Sequence, residues 1–100
     1  MDLAAIINNP SATLVDVRET YEFQSGHAKG AINIPLSELM HSLDTFRNLS
    51  RPIVVYCRSG NRSEHAKLVL QAKGITPVHN AGGLDEVSHY QAQSAFTQPA

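Results

Sequence analysis

The sequence has a single cysteine, no tryptophan and almost no excess of charge of either sign. One cysteine cannot form an internal disulfide, which is typical of a protein kept in a reducing compartment. Eight basic side chains against nine acidic ones give a formal net charge of −1 at pH 7. A molecule so nearly neutral has no overall attraction to polyanions, so we expect neither nucleic acid nor a membrane as a partner.

Long apolar runs and a basic amino-terminal segment are also missing. Residues 1–10 lack the basic region and the apolar stretch of a signal peptide, and no window reaches the length of a transmembrane helix. A length of 100 residues with 42% hydrophobic side chains is typical of one globular domain, covering residues 1–100. The expected location is the cytoplasm.

Motifs for metals and common cofactors are absent from the sequence. No two of the five histidines are one helical turn apart, and no cysteine stands at zinc-site spacing from them. The phosphate-binding loop, the dinucleotide-binding glycine pattern and the G-x-S-x-G frame are missing as well. We therefore expect no metal and no cofactor.

Short apolar strands alternate with amphipathic segments, which predicts an α/β fold. Strands are expected at residues 13–17, 31–34, 53–56 and 76–79. Helical segments are expected at residues 3–8, 19–23, 61–73 and 84–96. A further helix is expected to carry Leu39, Met40 and Leu43, with Ser37 or a neighbour as its cap, and residues 80–83 are expected to form a turn. This order predicts a sheet of four or five mainly parallel strands flanked by helices.

Cys57 stands where a buried strand ends and a helix is about to begin. Asn61 and Glu64 resemble a capping box, and Gly74 fits the position just after the helix. The unpaired N–H groups of a loop and of a first helical turn stabilise an anion. For a cysteine that anion is the thiolate, so we expect the pKa of Cys57 to lie below its usual value of about 8.5. The alternative is that Cys57 is only a small core side chain.

Basic residues are frequent around this cysteine. Residues 51–73 hold five basic side chains and one acidic one, a local excess of four. The basic ones are Arg51, Arg58, Arg62, Lys67 and Lys73. This excess predicts that the loop attracts small anions. The alternative for one of the loop arginines is a surface salt bridge with Asp16, Glu19 or Glu64.

Residues 57–62, with the sequence Cys-Arg-Ser-Gly-Asn-Arg, resemble the six-residue active-site loop of the rhodanese sulfurtransferase family. Residues 14–35 resemble a second signature of that family, and residues 74–83 resemble its carboxy-terminal one. The sequence departs from the family pattern at Val87, where an aromatic is common, and at Ala28, where a larger aliphatic is usual. The first strand is also expected to be shortened. Three ordered motifs that cover nearly all of the chain imply the three-layer rhodanese-like fold.

The resemblance also implies the roles of individual residues. Cys57 is the expected catalytic nucleophile and carrier of a persulfide. Substrate-binding residues are expected throughout the loop: Arg58, Ser59, Gly60, Asn61, Arg62 and Ser63. Asp16 and Arg18 are expected to brace the fold beside it. The implied enzyme is a thiosulfate sulfurtransferase, with a small anionic sulfur donor and with cyanide or a thiol, including a protein thiol, as acceptor.

Two other functions stay open from the sequence. Cysteine phosphatases and arsenate reductases also use a cysteine loop that ends in arginine, but such phosphatases place five residues between the two. Here four residues separate Cys57 from Arg62, and Tyr56 precedes the cysteine in place of histidine. The other alternative is a non-catalytic rhodanese-like regulatory or sulfur-carrier module, although such modules often lack the cysteine.

Overall fold

Four parallel strands form the centre of the computed structural model, which describes residues 2–97. The strands are β1 (Thr13–Asp16), β2 (Ile32–Asn33), β3 (Ile53–Cys57) and β4 (Val78–Gly83). Their order across the sheet is β2-β1-β3-β4, and each neighbouring pair is parallel. The predicted α/β fold with a parallel sheet is confirmed.

Helices connect the strands and cover both faces of the sheet. They are α1 (Leu3–Ile7), α2 (Thr20–Ser25), a 3₁₀ helix (Leu36–His41), α3 (Leu43–Asn48), α4 (Asn61–Ala72) and α5 (Leu84–Thr97). The predicted segments at residues 3–8, 61–73 and 84–96 agree closely with α1, α4 and α5. Within residues 2–97 no helix combines the length and the apolar character needed to cross a bilayer.

Strand β3 supplies side chains to two separate hydrophobic cores because successive residues of a strand point to opposite faces. One core contains Ile53, Val55 and Cys57 with Phe46 of α3 and Leu70 of α4. The other contains Val54 and Tyr56 with Ile7 of α1 and Val87 of α5. All five residues of β3 are fully buried. Two cores on opposite faces of one sheet make the predicted three-layer architecture.

The two departures from the family pattern lie in the second core. Val87 is fully buried among its side chains, and Ala28 is 1% exposed. The backbone N–H of Ala28 donates to the Tyr56 hydroxyl at 3.0 Å. A small side chain at Ala28 therefore lies where the backbone contacts the tyrosine tip.

The predicted capping box at the start of α4 is wrong. The N-cap is Gly60, and Asn61 is the first helical residue. Gly60 has a φ of 97°, a conformation that glycine adopts readily. The Glu64 carboxylate accepts from Asn80 Nδ2 at 3.0 Å in place of a backbone N–H at the helix start. Gly74, with a φ of 78°, follows the helix as predicted.

The single helix expected around Leu39, Met40 and Leu43 is also wrong. The chain forms the 3₁₀ helix, breaks at Ser42 and then begins α3. Pro35 occupies the cap position in place of Ser37. Leu39 is buried while Met40 is 55% exposed, so these two consecutive side chains lie on different faces of the 3₁₀ helix.

Residues 80–83 extend strand β4 where a turn was expected. Val55 pairs with Asn80 and Cys57 pairs with Gly83, so β4 holds one extra residue between these two pairs. Such a β-bulge bends a strand and is common beside active sites. The asparagine and the two glycines are typical turn residues, and the tertiary pairing overrides that local preference.

Candidate active site

Cys57 is the last residue of β3, and the helix α4 begins four residues later at Asn61. Ligands of parallel α/β sheets bind beyond the carboxyl ends of the strands, and Cys57 lies at such an end. The side chain is fully buried on the face of the sheet that packs against α3 and α4. Its sulfur therefore lies beneath the loop that joins β3 to α4.

Three groups of the loop and of α4 are directed at this sulfur. The backbone N–H of Gly60 donates to Cys57 Sγ at 3.0 Å, and that of Ser63 donates at 3.4 Å. The Ser63 hydroxyl lies 3.3 Å from the sulfur. The positive φ of Gly60 turns its N–H toward the sulfur, which explains why glycine stands there.

The pKa of the Cys57 thiol is lowered by this arrangement. Burial raises the pKa, but the hydrogen bonds from the Ser63 hydroxyl and from the N–H groups of Ser63, Gly60 and Ser59 lower it further than burial raises it. Hydrogen bonds to the charged form are one of the main causes of such shifts. The expected stabilisation of the thiolate by loop N–H groups is confirmed.

Arg62, on the first turn of α4, is held by Glu22 of α2. Its Nη1 lies 2.7 Å from Glu22 Oε1, and its Nη2 lies 3.1 Å from Oε2. The hydrogen bond with Arg62 is the main cause that lowers the pKa of Glu22 to about 2. From the sequence, Asp16, Glu19 and Glu64 were the expected salt-bridge partners of a loop arginine. Glu22 was missed because it lies 40 residues from Arg62 along the chain.

Arg58 and Ser59 are exposed at the outer side of the loop, as is Asn61. Arg58 lines a cavity of about 400 Å³ next to the loop. The other lining residues are Arg18, Tyr21, Glu22, Ser25, Leu84 and Asp85. Within the described part of the chain Arg58 forms no ion pair. It is therefore the loop cation that is open to an anionic ligand.

Asp16 and Arg18 form a buried ion pair at the carboxyl end of β1, the strand beside β3. Arg18 Nη2 lies 2.7 Å from Asp16 Oδ2, and the same nitrogen donates to the Gly26 carbonyl oxygen at 2.7 Å. Asp16 stands opposite Tyr56 in the sheet, and the Arg18 guanidinium lies 5.9 Å from the centre of the Tyr56 ring. The structure thus places the pair directly beside the residue that precedes Cys57.

Asn80 and Gly83 of β4 belong to the site and were missed because the local sequence indicates a turn. Asn80 bonds to Ser63 and to the Gly60 carbonyl oxygen. A Cβ at Gly83 would collide with the carbonyl oxygen of Arg58, so only glycine lets β4 pass so close to the loop. The consecutive glycines Gly82 and Gly83 were the signal in the sequence that this strand passes close to another backbone segment.

Among residues 2–97, no three histidine, cysteine, aspartate or glutamate side chains come together in a group that could hold a metal ion.

The fold and the site define a class of protein: an α/β domain with a parallel sheet, in which a cysteine at the end of a central strand accepts hydrogen bonds from the following loop and helix start. A family model described as "Rhodanese-like domain" matches residues 1–89. The chain belongs to the rhodanese-like domain family.

Three curated relatives are similar to this chain. Thiosulfate sulfurtransferase PspE of Escherichia coli (strain K12) is 40% identical over 75 residues, which cover 74% of this chain and 72% of PspE. The uncharacterized protein YqhL of Bacillus subtilis (strain 168) is 42% identical over 72 residues, which cover 72% of this chain but 56% of YqhL. A tRNA uridine(34) hydroxylase of Buchnera aphidicola is 32% identical, and the match covers 82% of this chain but 28% of that protein.

Solved structures agree with the family assignment. A structure described as "rhodanese with anions from E. coli" superposes with a TM-score of 0.67 at 40% identity, covering 75% of this chain and 89% of that one. The human single-domain sulfurtransferase TSTD1 superposes with a TM-score of 0.68 over 97% of this chain and 92% of its own. Its identity is 24%, so this second likeness is one of fold.

Proposed function

We propose that this chain is a sulfurtransferase that moves a sulfane sulfur from thiosulfate to cyanide or a thiol through a persulfide on Cys57. The proposal rests on the sulfur of Cys57, which accepts hydrogen bonds from the N–H groups of Gly60 and Ser63 at the start of α4. A family relationship to thiosulfate sulfurtransferase PspE supports the same reaction.

In the first step the Cys57 thiolate attacks the outer sulfur of thiosulfate. A sulfur–sulfur bond forms, the bond between the two sulfur atoms of thiosulfate breaks, and sulfite leaves with the electron pair. The total charge is unchanged because the terminal sulfur of the persulfide carries the negative charge that the thiolate held. Loop N–H groups stabilise that charge where it develops.

In the second step an acceptor nucleophile attacks the terminal sulfur of the persulfide. Cyanide forms a bond to that sulfur, the sulfur–sulfur bond breaks, and thiocyanate leaves while Cys57 returns to the thiolate. A thiol acceptor, on a small molecule or on a protein, would take the sulfur in the same way. Neither step needs an electron donor or a metal.

Two observations support this reaction over phosphoryl transfer. The loop holds four residues between Cys57 and Arg62, which makes a ring suited to one sulfur atom. Arg62 is already engaged by both oxygens of Glu22, whereas a phosphatase loop would use this arginine to hold the phosphoryl oxygens. An intact, hydrogen-bonded cysteine also favours catalysis over a purely regulatory role.

The test is mass spectrometry of the intact protein before and after treatment with thiosulfate. We expect an adduct heavier by one sulfur atom, removed by cyanide with release of thiocyanate, and no adduct on the Cys57→Ser variant. Serine keeps the shape of the side chain but is a weak nucleophile at neutral pH. Rapid hydrolysis of an aryl phosphate, with no sulfur adduct after thiosulfate, would instead establish the phosphatase.

A further inference from the structure

Asn80 of β4 uses every hydrogen-bonding position of its side-chain amide to connect the strand to the cysteine loop. Its Nδ2 donates to the Gly60 carbonyl oxygen at 3.1 Å and to Glu64 Oε1 at 3.0 Å. Its Oδ1 accepts from the Ser63 hydroxyl at 2.7 Å and from the Gly82 N–H at 2.9 Å. An amide with two donors and two acceptor positions filled in this way has one fixed orientation.

The Ser63 hydroxyl lies between this amide and the sulfur. It is 2.7 Å from Asn80 Oδ1 and 3.3 Å from Cys57 Sγ, and Ser63 is fully buried. A hydroxyl has one hydrogen, so it cannot donate to both neighbours at once. With a neutral thiol, the S–H donates to Ser63 Oγ and the hydroxyl donates to Asn80 Oδ1. With a thiolate, the sulfur can only accept, and the hydroxyl hydrogen turns toward it.

The Asn80 oxygen tolerates this change because it also accepts a hydrogen bond from a second donor. When the Ser63 hydrogen turns to the sulfur, Asn80 Oδ1 keeps the Gly82 N–H at 2.9 Å. No buried acceptor is then left without a partner, which would otherwise cost about 1–3 kcal/mol. The same amide holds Gly60, whose own N–H donates to the sulfur, through the Gly60 carbonyl oxygen.

We propose that Asn80 is a positioning residue for sulfur transfer: it holds the Ser63 hydroxyl beside Cys57 and shares that group's single hydrogen with the sulfur. The role of Asn80 in catalysis rests on the function proposed above. Asn80 does not contact the reacting atoms and acts through Ser63 and Gly60.

A double-mutant cycle between Asn80 and Ser63 tests the proposal. The ultraviolet absorbance of the thiolate is titrated against pH for wild type, Asn80→Ala, Ser63→Ala and the double variant. Cys57→Ser provides the baseline, and since the chain has one cysteine, the difference reports Cys57 alone. We expect Asn80→Ala to lower the titration midpoint by about one pH unit, because the Ser63 hydrogen then has no Asn80 acceptor in the neutral-thiol state, and one hydrogen bond is worth about that much.

The same substitution should have a much smaller effect once Ser63 is alanine. If Asn80 acts through the hydroxyl, Asn80→Ala shifts the midpoint of the Ser63→Ala protein by less than about a third of its shift in wild type. An equal shift in both backgrounds, or no shift in either, would overturn the proposal. A charge-based effect is held constant because the alanine variants leave the charged groups around the loop in place: Arg58, Arg62, Glu22, Glu64, Lys67, Glu86, Asp16 and Arg18.

Two further variants protect the test against simple loss of structure. Asn8 also joins two elements, since its Nδ2 donates to the Tyr90 carbonyl oxygen at 2.9 Å, and Asn8→Ala should lower the melting temperature without moving the midpoint. Asn80→Asp keeps the acceptor but makes it anionic, so it should hold the Ser63 hydrogen more strongly and raise the midpoint, opposite in direction to alanine. The rise should exceed the rise that Asn80→Asp causes in the Ser63→Ala background, where only the added charge acts. A midpoint at or below the wild-type value in Asn80→Asp would contradict the proposal.

The titration needs no sulfur donor, so its result is separate from the proposed function. Absence of a persulfide in the wild-type protein would reject sulfur transfer but leave the coupling between Asn80 and Ser63 measurable. A persulfide in wild type together with no coupling would reject the role of Asn80 alone.

Discussion

Arg58 and Arg62 bear the same charge and lie close together in the sequence, but their surroundings differ. Arg62 is paired through two hydrogen bonds with Glu22, whereas Arg58 is exposed at the cavity beside the loop. A bidentate pair of this kind neutralises the arginine and fixes its geometry. We therefore propose that Arg58 recognises an anionic donor and that Arg62 supports the loop.

Replacing Arg58 with alanine should weaken thiosulfate binding more than it slows the transfer step. We expect KM for thiosulfate to rise by about tenfold with a smaller change in kcat, because an exposed cation contributes mainly to binding. Steady-state kinetics with cyanide as acceptor measure both constants. Arg47→Ala on α3, which also removes an exposed cation, is the matched control, and an equal rise of KM there would refute the assignment.

The Glu22–Arg62 pair should make stability depend on pH in the acid range. The pKa of Glu22 is lowered from 4.5 to about 2 in the folded protein, chiefly by Arg62. A carboxyl group with a depressed pKa contributes stability above its unfolded pKa and loses it as the pH falls through the folded pKa. The contribution of this pair should therefore be complete above about pH 4.5 and should vanish near pH 2.

Thermal unfolding of wild type and of Glu22→Gln across this pH range measures the contribution. Glutamine can still accept the Glu19 N–H that caps α2, so the comparison removes the charge and keeps the cap. The stability advantage of wild type should shrink as the pH falls between these limits. Glu38→Gln removes an exposed carboxylate elsewhere and should show no comparable trend, and a constant advantage for wild type at all pH values would contradict the pairing.

At the scale of the elements, the bulge in β4 decides how the loop is supported. It aligns Gly83 with Cys57 and brings β4 against the carbonyl of Arg58. Helix α5 begins at the next residue, and Glu86 in its first turn accepts the Gly83 N–H at 2.9 Å. The loop is thus enclosed by its own helix α4 and by the junction between β4 and α5.

Replacing Gly83 with alanine should displace the cysteine loop. The added Cβ collides with the Arg58 carbonyl oxygen, which is backbone and cannot rotate away. We expect sulfur transfer to fall by about tenfold or more, since small misplacements of reacting groups are costly. Activity per folded molecule and urea unfolding are the two measurements.

Gly30→Ala is the control for the general cost of losing a glycine. Gly30 has a φ of 81°, but a Cβ there meets no atom within 4 Å. This variant should lose about 1 kcal/mol of stability from backbone strain and keep its activity per folded molecule. An active Gly83→Ala protein would show that the contact does not position the loop.

At the scale of the whole molecule, the five basic residues between positions 51 and 73 are not gathered around the sulfur. Arg51 donates to carbonyl oxygens of Leu49 and Thr76, beside the opposite end of β3. Lys73 follows the last turn of α4, and Lys67 is paired with Glu64. The excess of four basic charges over residues 51–73 is therefore not concentrated at the loop, because the fold separates some of these residues and pairs others.

A weak dependence on salt should follow from this distribution of charge. With one open arginine at the site, raising the ionic strength from low to physiological values should raise KM for thiosulfate by no more than about threefold. Kinetics at several salt concentrations measure the effect, and the dependence should be weaker still in Arg58→Ala. A rise well above tenfold would indicate a concentrated positive field that the described residues do not provide.

The class of fold and the central position of Cys57 could be predicted from the sequence. Buried runs such as residues 53–56 and the helical segments after them are local patterns, and local patterns encode secondary structure. The position of Cys57 between a strand and a helix start already implied a stabilised thiolate, because N–H groups at a helix start are unpaired wherever the helix packs.

The groups that complete the site could not be predicted, because they are brought together by the packing of elements that are distant in the sequence. Arg62 meets Glu22 across 40 residues of chain, and Ser63 meets Asn80 across 17. Neither pair leaves a periodic signal, since each depends on how α2 and β4 pack beside α4. The same packing turned residues 80–83 from an expected turn into a bulged strand, because pairing with β3 supplies hydrogen bonds that an isolated segment lacks.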